Sequence, residues 1–157
     1  MLAAYSRSRY RSEPYPTTLV LHPTNASFHS LCVTRVLPNC HFEVDDFESD
    51  WSFKTPFDFI HARTLAGSVR DFPRLYRRMI ENLNTGGWAE VVDFTVEAFS
   101  DDGTLNNAPN VVKWIKLLDE ASSKFGKRLN IASTHKQGLI DAGFKNVKED
   151  IYKVSCV

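Results

Sequence analysis

The sequence predicts an α/β domain with a mostly parallel sheet. Three observations lead there. Short apolar runs alternate with amphipathic stretches in the order strand, helix, strand, helix, helix, strand. Apolar residues make up 43% of the chain and aromatics 12%, which suits a packed core and excludes general disorder. The 157 residues are enough for one domain and too few for two ordinary ones.

The elements can be justified in turn. Thr17–Leu21 and Leu31–Leu37 are β-branched runs, each expected as a strand, with Pro23 and Asn25 supplying a turn between them. His41-Phe42-Glu43-Val44 alternates and then meets Asp45-Asp46, as a strand entering a loop does. Phe57–His61 is a further strand, preceded by Pro56. Phe72, Leu75, Tyr76, Met79, Ile80 and Leu83 then recur at helical spacing. Asp71 is placed to cap that helix, Pro73 fits its first turn, and Gly86-Gly87 stops the chain beyond it.

Trp88–Phe94 reads as a buried strand whose indole fills core. Val111, Trp114, Ile115, Leu118, Ala121 and Phe125 make a second amphipathic helix, ended by Gly126, with its apolar stripe read as core. Thr134 and Gln137 have capping-box spacing at the start of a short helix through Ala142, with Gly143 beyond its end. Val147–Val154 is expected as a closing strand or hairpin. No internal repeat is present.

Charge divides the chain. The 19 basic and 19 acidic side chains cancel, but residues 1–37 hold four arginines against Glu13 alone, and residues 38–157 hold 15 basic and 18 acidic groups. We therefore separate an atypical basic segment, 1–37 and partly disordered, from a main body, 38–157. Ser6–Ser12, followed by Pro14 and Pro16, reads as a solvated tail. Its Arg and Ser content also matches a transit peptide, so mitochondrial targeting stands as the alternative to cytoplasm or nucleus. The overall balance points to neither nucleic acid nor membrane, and no apolar run approaches the ~18 residues of a membrane span. Cys32, Cys40 and Cys156 are odd in number and lack C-x-x-C spacing, which fits a reducing compartment and argues against structural zinc.

In open α/β sheets, ligands sit beyond the carboxyl ends of the strands. The positions to question are therefore Asp45–Phe47, His61–Arg63 and Asp93–Phe94. Neither Cys40-His41 nor the acidic run makes a metal motif, because adjacent strand side chains point apart and the calcium-loop glycine is missing.

These positions also carry a family likeness. Pro38–Asp46, Phe57–Arg63 and the Asn82-Leu83-Asn84-Thr85-Gly86-Gly87-Trp88-Ala89-Glu90 block resemble class I S-adenosylmethionine-dependent methyltransferases. The resemblance is to the fungal group that includes regulators of secondary metabolism. Ser100–Leu105 and Ala142-Gly143-Phe144 extend it. The likeness implies a Rossmann-like methyltransferase sheet with flanking helices, S-adenosyl-L-methionine as cofactor and an unknown methyl acceptor.

One departure is large. The family opens with a strand, a Gly-x-Gly-x-Gly turn that cradles the methionine end, and an acid that holds the ribose. Here the first glycine is Gly67, and the only acid before Glu43 is Glu13. A backbone that must approach a ligand closely at positive φ needs glycine. The N-terminal part of the family pattern is missing or replaced.

The resemblance implies a cofactor-binding set of Asp45, Asp46, Phe47, His61, Ala62 and Arg63. Asp45 or Asp46 would accept the adenine amino group with Phe47 packed on the ring; the alternative is a solvated acidic loop continued by Glu48 and Asp50. His61 would face the methionine portion or the acceptor and is the weak candidate for a catalytic base; the alternative is a strand-end histidine bonded to backbone. Arg63 would clamp a carboxylate, or else pair with Asp58 or Asp71. Asp93 or Glu90, charged on a strand, needs a partner, Arg63 or a cofactor. Two functions follow: impaired methyl transfer, or a non-catalytic remnant that binds a protein or itself through an open sheet edge.

Overall fold

The structure, a computed structural model, describes the backbone of Leu2–Tyr5, Thr17–Leu21 and Cys40–Val44, and both backbone and side chains of residues 46–154. Among the described residues, five strands form one open sheet in the order β3-β2-β1-β4-β5. They are β1 (Leu2–Tyr5), β2 (Thr17–Leu21), β3 (Cys40–Val44), β4 (Phe57–Arg63) and β5 (Leu83–Val92). β2 and β3 run parallel, as do β4 and β5. β1 is antiparallel to both its neighbours, with Leu2 opposite Val20 on one side and Ala62 on the other. The expected parallel sheet is thus two parallel pairs joined by a reversed strand. β2 lies beside the strand ending at Val44, with Leu21 opposite Val44. The expected strand Leu31–Leu37 and the tail Ser6–Ser12 lie outside the described residues.

The core forms on one face of β4 and β5. Phe57, Ile60 and Ala62 of β4 are buried there, and Ala89 and Val91 pack against them. Helix α1 (Phe72–Glu81) covers this face with Phe72, Leu75, Tyr76 and Met79, four positions that the 3.6-residue repeat brings together. Each such side chain contributes about 1.5–3 kcal/mol when fully buried. Asp71 caps the helix by accepting from Arg74 N–H at 2.9 Å, and Pro73 stands in the first turn.

Helix α3 (His135–Asp141) packs on α1 through Gly138. A Cβ there would lie 2.4 Å from Tyr76 Cε2, so only glycine fits. Past its end Gly143 takes φ +104°, and Phe144 N–H donates to Leu139 C=O at 3.1 Å, the bond that closes this kind of helix end.

Several expectations are corrected. The capping box is not made: Thr134 Oγ1 donates to Ile131 C=O and Gln137 Nε2 donates to Asp141. Thr134 has helical backbone, and its own N–H, which the box would engage, already donates to Ile131 C=O at 2.9 Å. Gly86-Gly87 does not end the helix but lies inside β5, absorbing an irregularity where Phe57 pairs with Leu83 and Phe59 with Trp88. Backbone approaches Gly87 so closely that a Cβ would sit 2.9 Å from Asn84 O. Trp88 does not fill core: it is 71% exposed, because its side of β5 faces away from α1.

Helix α2 (Pro109–Lys124) contributes no buried residue, and Trp114 and Phe125 are exposed. Its apolar stripe is an open surface, not core. A groove lined by Val96, Ala98, Leu105, Val112 and Ile115 separates the helix from the segment before it. Val147–Val154 forms no strand, and Ile151, Tyr152 and Val154 stay exposed. Alternating apolar residues become a strand only when an edge offers them a ladder. No helix among the described residues is long and apolar enough to cross a membrane.

Candidate functional site

β4 and β5 end together, with Arg63 opposite Val92, and Thr64 N–H donates to Val92 C=O at 2.9 Å. The chain then turns through Thr64 at φ +55°. A β-branched residue rarely takes this conformation, which costs on the order of 1–3 kcal/mol and persists only where the surroundings hold it. Such strain gathers at ligand sites, and this instance stands at the carboxyl end of a strand.

Asp93 follows β5 and supplies the hold. Its side chain is 0% exposed. Oδ2 accepts from Ala66 N–H at 2.9 Å, and Oδ1 accepts from Phe94 N–H at 3.0 Å. His135 Nε2 lies 3.4 Å from Oδ2, while Nδ1 of the same ring is 2.7 Å from Tyr76 Oη. Burial, then the charge of Asp93, push the Tyr76 phenol well above its ordinary range, so it stays protonated. Asp93 thus meets His135 and backbone N–H groups, while Glu90 meets His61.

The other named positions divide. Asp45 lies outside the described residues. Asp46 is exposed at the end of β3 and shapes a turn: Oδ1 accepts from Glu48 N–H, and its carbonyl accepts from Ser49 N–H and Oγ. The rest of the acidic run is not a free loop. Glu48 accepts from Arg70 N–H, and Asp50 pairs with Arg74 at 2.9 Å and with buried Arg78 at 2.6 Å. Those two guanidinium groups hold the Asp50 carboxyl below its usual value. The Phe47 ring is 2% exposed and belongs to the core. Its carbonyl accepts from Trp51 Nε1 and Arg78.

Ala62 is also buried and faces α1, so only its backbone meets the opposite side. His61 lies on the opposite, open face of β4. Its Nδ1 is 2.7 Å from Oε2 of Glu90, the residue across the ladder. Phe59 and Trp88 are paired two residues earlier on the same strands. Arg63 is exposed at the strand end. Asp71 caps α1, and Asp58 accepts from Asn84 Nδ2 at 2.9 Å. Among the described residues, no group of three His, Cys, Asp or Glu could hold a metal.

Sequence reading missed His135, Tyr76 and Arg78. All three sit at apolar-stripe positions of helices. The legible signal was a polar group on a stripe otherwise made of Phe72, Leu75 and Met79.

Polar groups gather past the carboxyl ends of β4 and β5, the place where open α/β sheets receive ligands. Residues 3–149 match a methyltransferase domain family, and the chain belongs to it. It is a small α/β methyltransferase-like domain related to fungal secondary-metabolism regulator-like proteins. "Methyltransferase pytC" of Aspergillus terreus is 35% identical over 116 residues, covering 74% of this chain and 36% of that protein. "Methyltransferase cpsF" of Aspergillus campestris is 33% identical over 119 residues, covering 74% and 42%. "Secondary metabolism regulator LAE1" of Cochliobolus heterostrophus is 32% identical over 123 residues, covering 76% and 40%. The matched region thus spans about two fifths of these relatives. No solved structure matches the chain.

Proposed function

We propose that this chain is a methyl-transfer domain that binds S-adenosyl-L-methionine weakly at the carboxyl ends of β3, β4 and β5. The observation that carries this reading is the strained turn at Thr64, held by Asp93 at the mouth of a parallel strand pair. The fit to the cofactor is one-sided. Asp45 and Asp46 at the end of β3 would hold the adenine side, and His61 with Arg63 the methionine side or the acceptor. A backbone cradle is lacking among the described residues. Gly67, the first glycine, packs on Leu129, whose Cδ2 a Cβ would meet at 2.7 Å.

Bound, the cofactor supplies an electrophilic methyl group for in-line displacement. The chain's part is alignment and exclusion of water. His61 holds its ring through Glu90, which leaves Nε2 to face the acceptor. Each backbone or charged hydrogen bond that the cradle would have made is worth about 1–3 kcal/mol, so its loss weakens binding by orders of magnitude. Calorimetry of the chain with S-adenosyl-L-methionine should show binding weaker than low micromolar. A graft that replaces residues 1–37 with a strand, glycine-rich turn, helix and acid-ended strand should gain affinity. That gain should fall with Asp45→Ala plus Asp46→Ala, or with His61→Ala. A graft that folds but binds nothing would reject the reading.

A second reading has its own observation. Among the described residues β5 is an outer strand, Trp88 stands exposed on its open face, and no residue of α2 is fully buried. We propose, as the alternative, a non-catalytic domain that meets a protein or a second copy at this edge. Strong oligomerisation without cofactor binding would favour it.

A further inference from the structure

Tyr76, His135 and Asp93 make one buried line from α1 through α3 to the end of β5, and the line finishes on the amide of Ala66. We propose that the three are positioning residues: a one-directional hydrogen-bond relay that fixes the Thr64–Ser68 turn, and with it the crevice wall at the carboxyl end of β4. The bearing on methyl transfer rests on the function proposed above. The relay itself does not, and the experiment below reads it without cofactor.

The direction of the relay follows from what each atom can offer. Both oxygens of the buried Asp93 side chain act as acceptors, from Ala66 N–H and Phe94 N–H, so a further group facing it is placed to donate. The third neighbour, His135 Nε2, therefore carries hydrogen. A neutral imidazole has one N–H, which leaves Nδ1 an acceptor. Tyr76 Oη, 2.7 Å away, is the donor that suits it. By donating to Nδ1 the phenol reinforces the tautomer that Asp93 needs, although it touches neither Asp93 nor the turn.

Packing keeps the ring in place. His135 lies against Phe72 at 5.3 Å between ring centres and edge-on to Tyr76. Gly138, one turn further along α3, admits the Tyr76 ring where any Cβ would clash. Thr64 needs this restraint, because its strained backbone relaxes unless the residues after it are tied down. Asp93 ties Ala66, and His135 and Tyr76 orient Asp93.

The test is nuclear magnetic resonance on the full chain. Ring nitrogen shifts should report the Nε2–H form of His135 in the unaltered protein, a measurement that requires no variant. Tyr76→Phe keeps the ring and removes the donating hydroxyl. It should shift His135 toward Nδ1–H and speed hydrogen exchange at Ala66 by about tenfold, the loss of roughly one hydrogen bond, with Met79 in α1 unchanged. His135→Leu should do the same at Ala66. His135→Gln, whose carbonyl accepts from Tyr76 and whose amide donates to Asp93, should restore slow exchange. An Nδ1–H tautomer in the unaltered chain would overturn the proposal. So would an Ala66 amide indifferent to Tyr76→Phe, or equal acceleration at Ala66 and Met79.

Discussion

His61 and Glu90 stand opposite each other on two parallel strands, with Nδ1 and Oε2 2.7 Å apart. The pair is made by register alone, since 29 residues separate its members. Glu90 is more than half exposed, so the bond orients the ring more than it stabilises the fold. Glu90→Gln should change thermal stability by less than about 0.5 kcal/mol. In a cradle-bearing graft it should weaken cofactor or acceptor binding through the freed His61 ring. Melting curves and calorimetry on the same variant separate the two effects.

Asp50 carries a pH signature. Its carboxyl is held below the ordinary value by hydrogen bonds and charge from Arg74 and Arg78. A depressed folded-state value means that the contribution is complete above the unfolded value, about 3.9 for aspartate, and is lost as pH falls through the folded one. The melting-temperature gap between the unaltered chain and Asp50→Asn should be full at neutral pH and close on acidification below pH ~4. Added salt should narrow it too, because Asp50 itself is open to water. A gap that widened in acid would contradict the assignment.

Gly138→Ala should destabilise by about 1–3 kcal/mol, the usual cost of overpacking. The new methyl would stand 2.4 Å from Tyr76 Cε2, and α3 would have to slide. Denaturant unfolding gives the size. A neutral effect would mean that α3 is free to shift.

Trp114→Ser and Trp88→Ser remove exposed indoles and should leave stability within about 0.5 kcal/mol. Both should reduce binding of a dye that reports apolar surface. If either variant lost 3 kcal/mol or more, that indole would have a packing partner beyond the described residues.

Helix α1 was legible because its signals are local: a cap at Asp71, Pro73, and an apolar repeat that one face can bury. β3 and β4 were legible from their own residues, whereas β5 begins at Leu83, earlier than the expected Trp88, and Val147–Val154 forms no strand. β1 was not, since four residues hold no period and their partners are residues 17–20 and 59–62. The exposure of Trp88 and Trp114 was not legible either. An apolar stripe states what a face would prefer, and only the arrangement of the other elements decides whether anything covers it. In the candidate site, the strand ends at Asp46, His61 and Asp93 could be picked from the order of elements. The relay could not, because His135 is 59 residues from Tyr76 and 42 from Asp93.

The reversed strand β1 also sets a timetable for synthesis. It is made before β4 and completes its ladder only when β4 arrives, about sixty residues later, with Leu2 meeting Ala62. Closing a loop of that length adds only slowly to the entropy cost, so the delay concerns exposure more than stability. Until β4 emerges, one side of β1 offers bare N–H and C=O groups to any extended chain nearby. Among the described residues, only β4 joins the two halves of the sheet, and a nascent-chain chaperone would find its substrate in that interval.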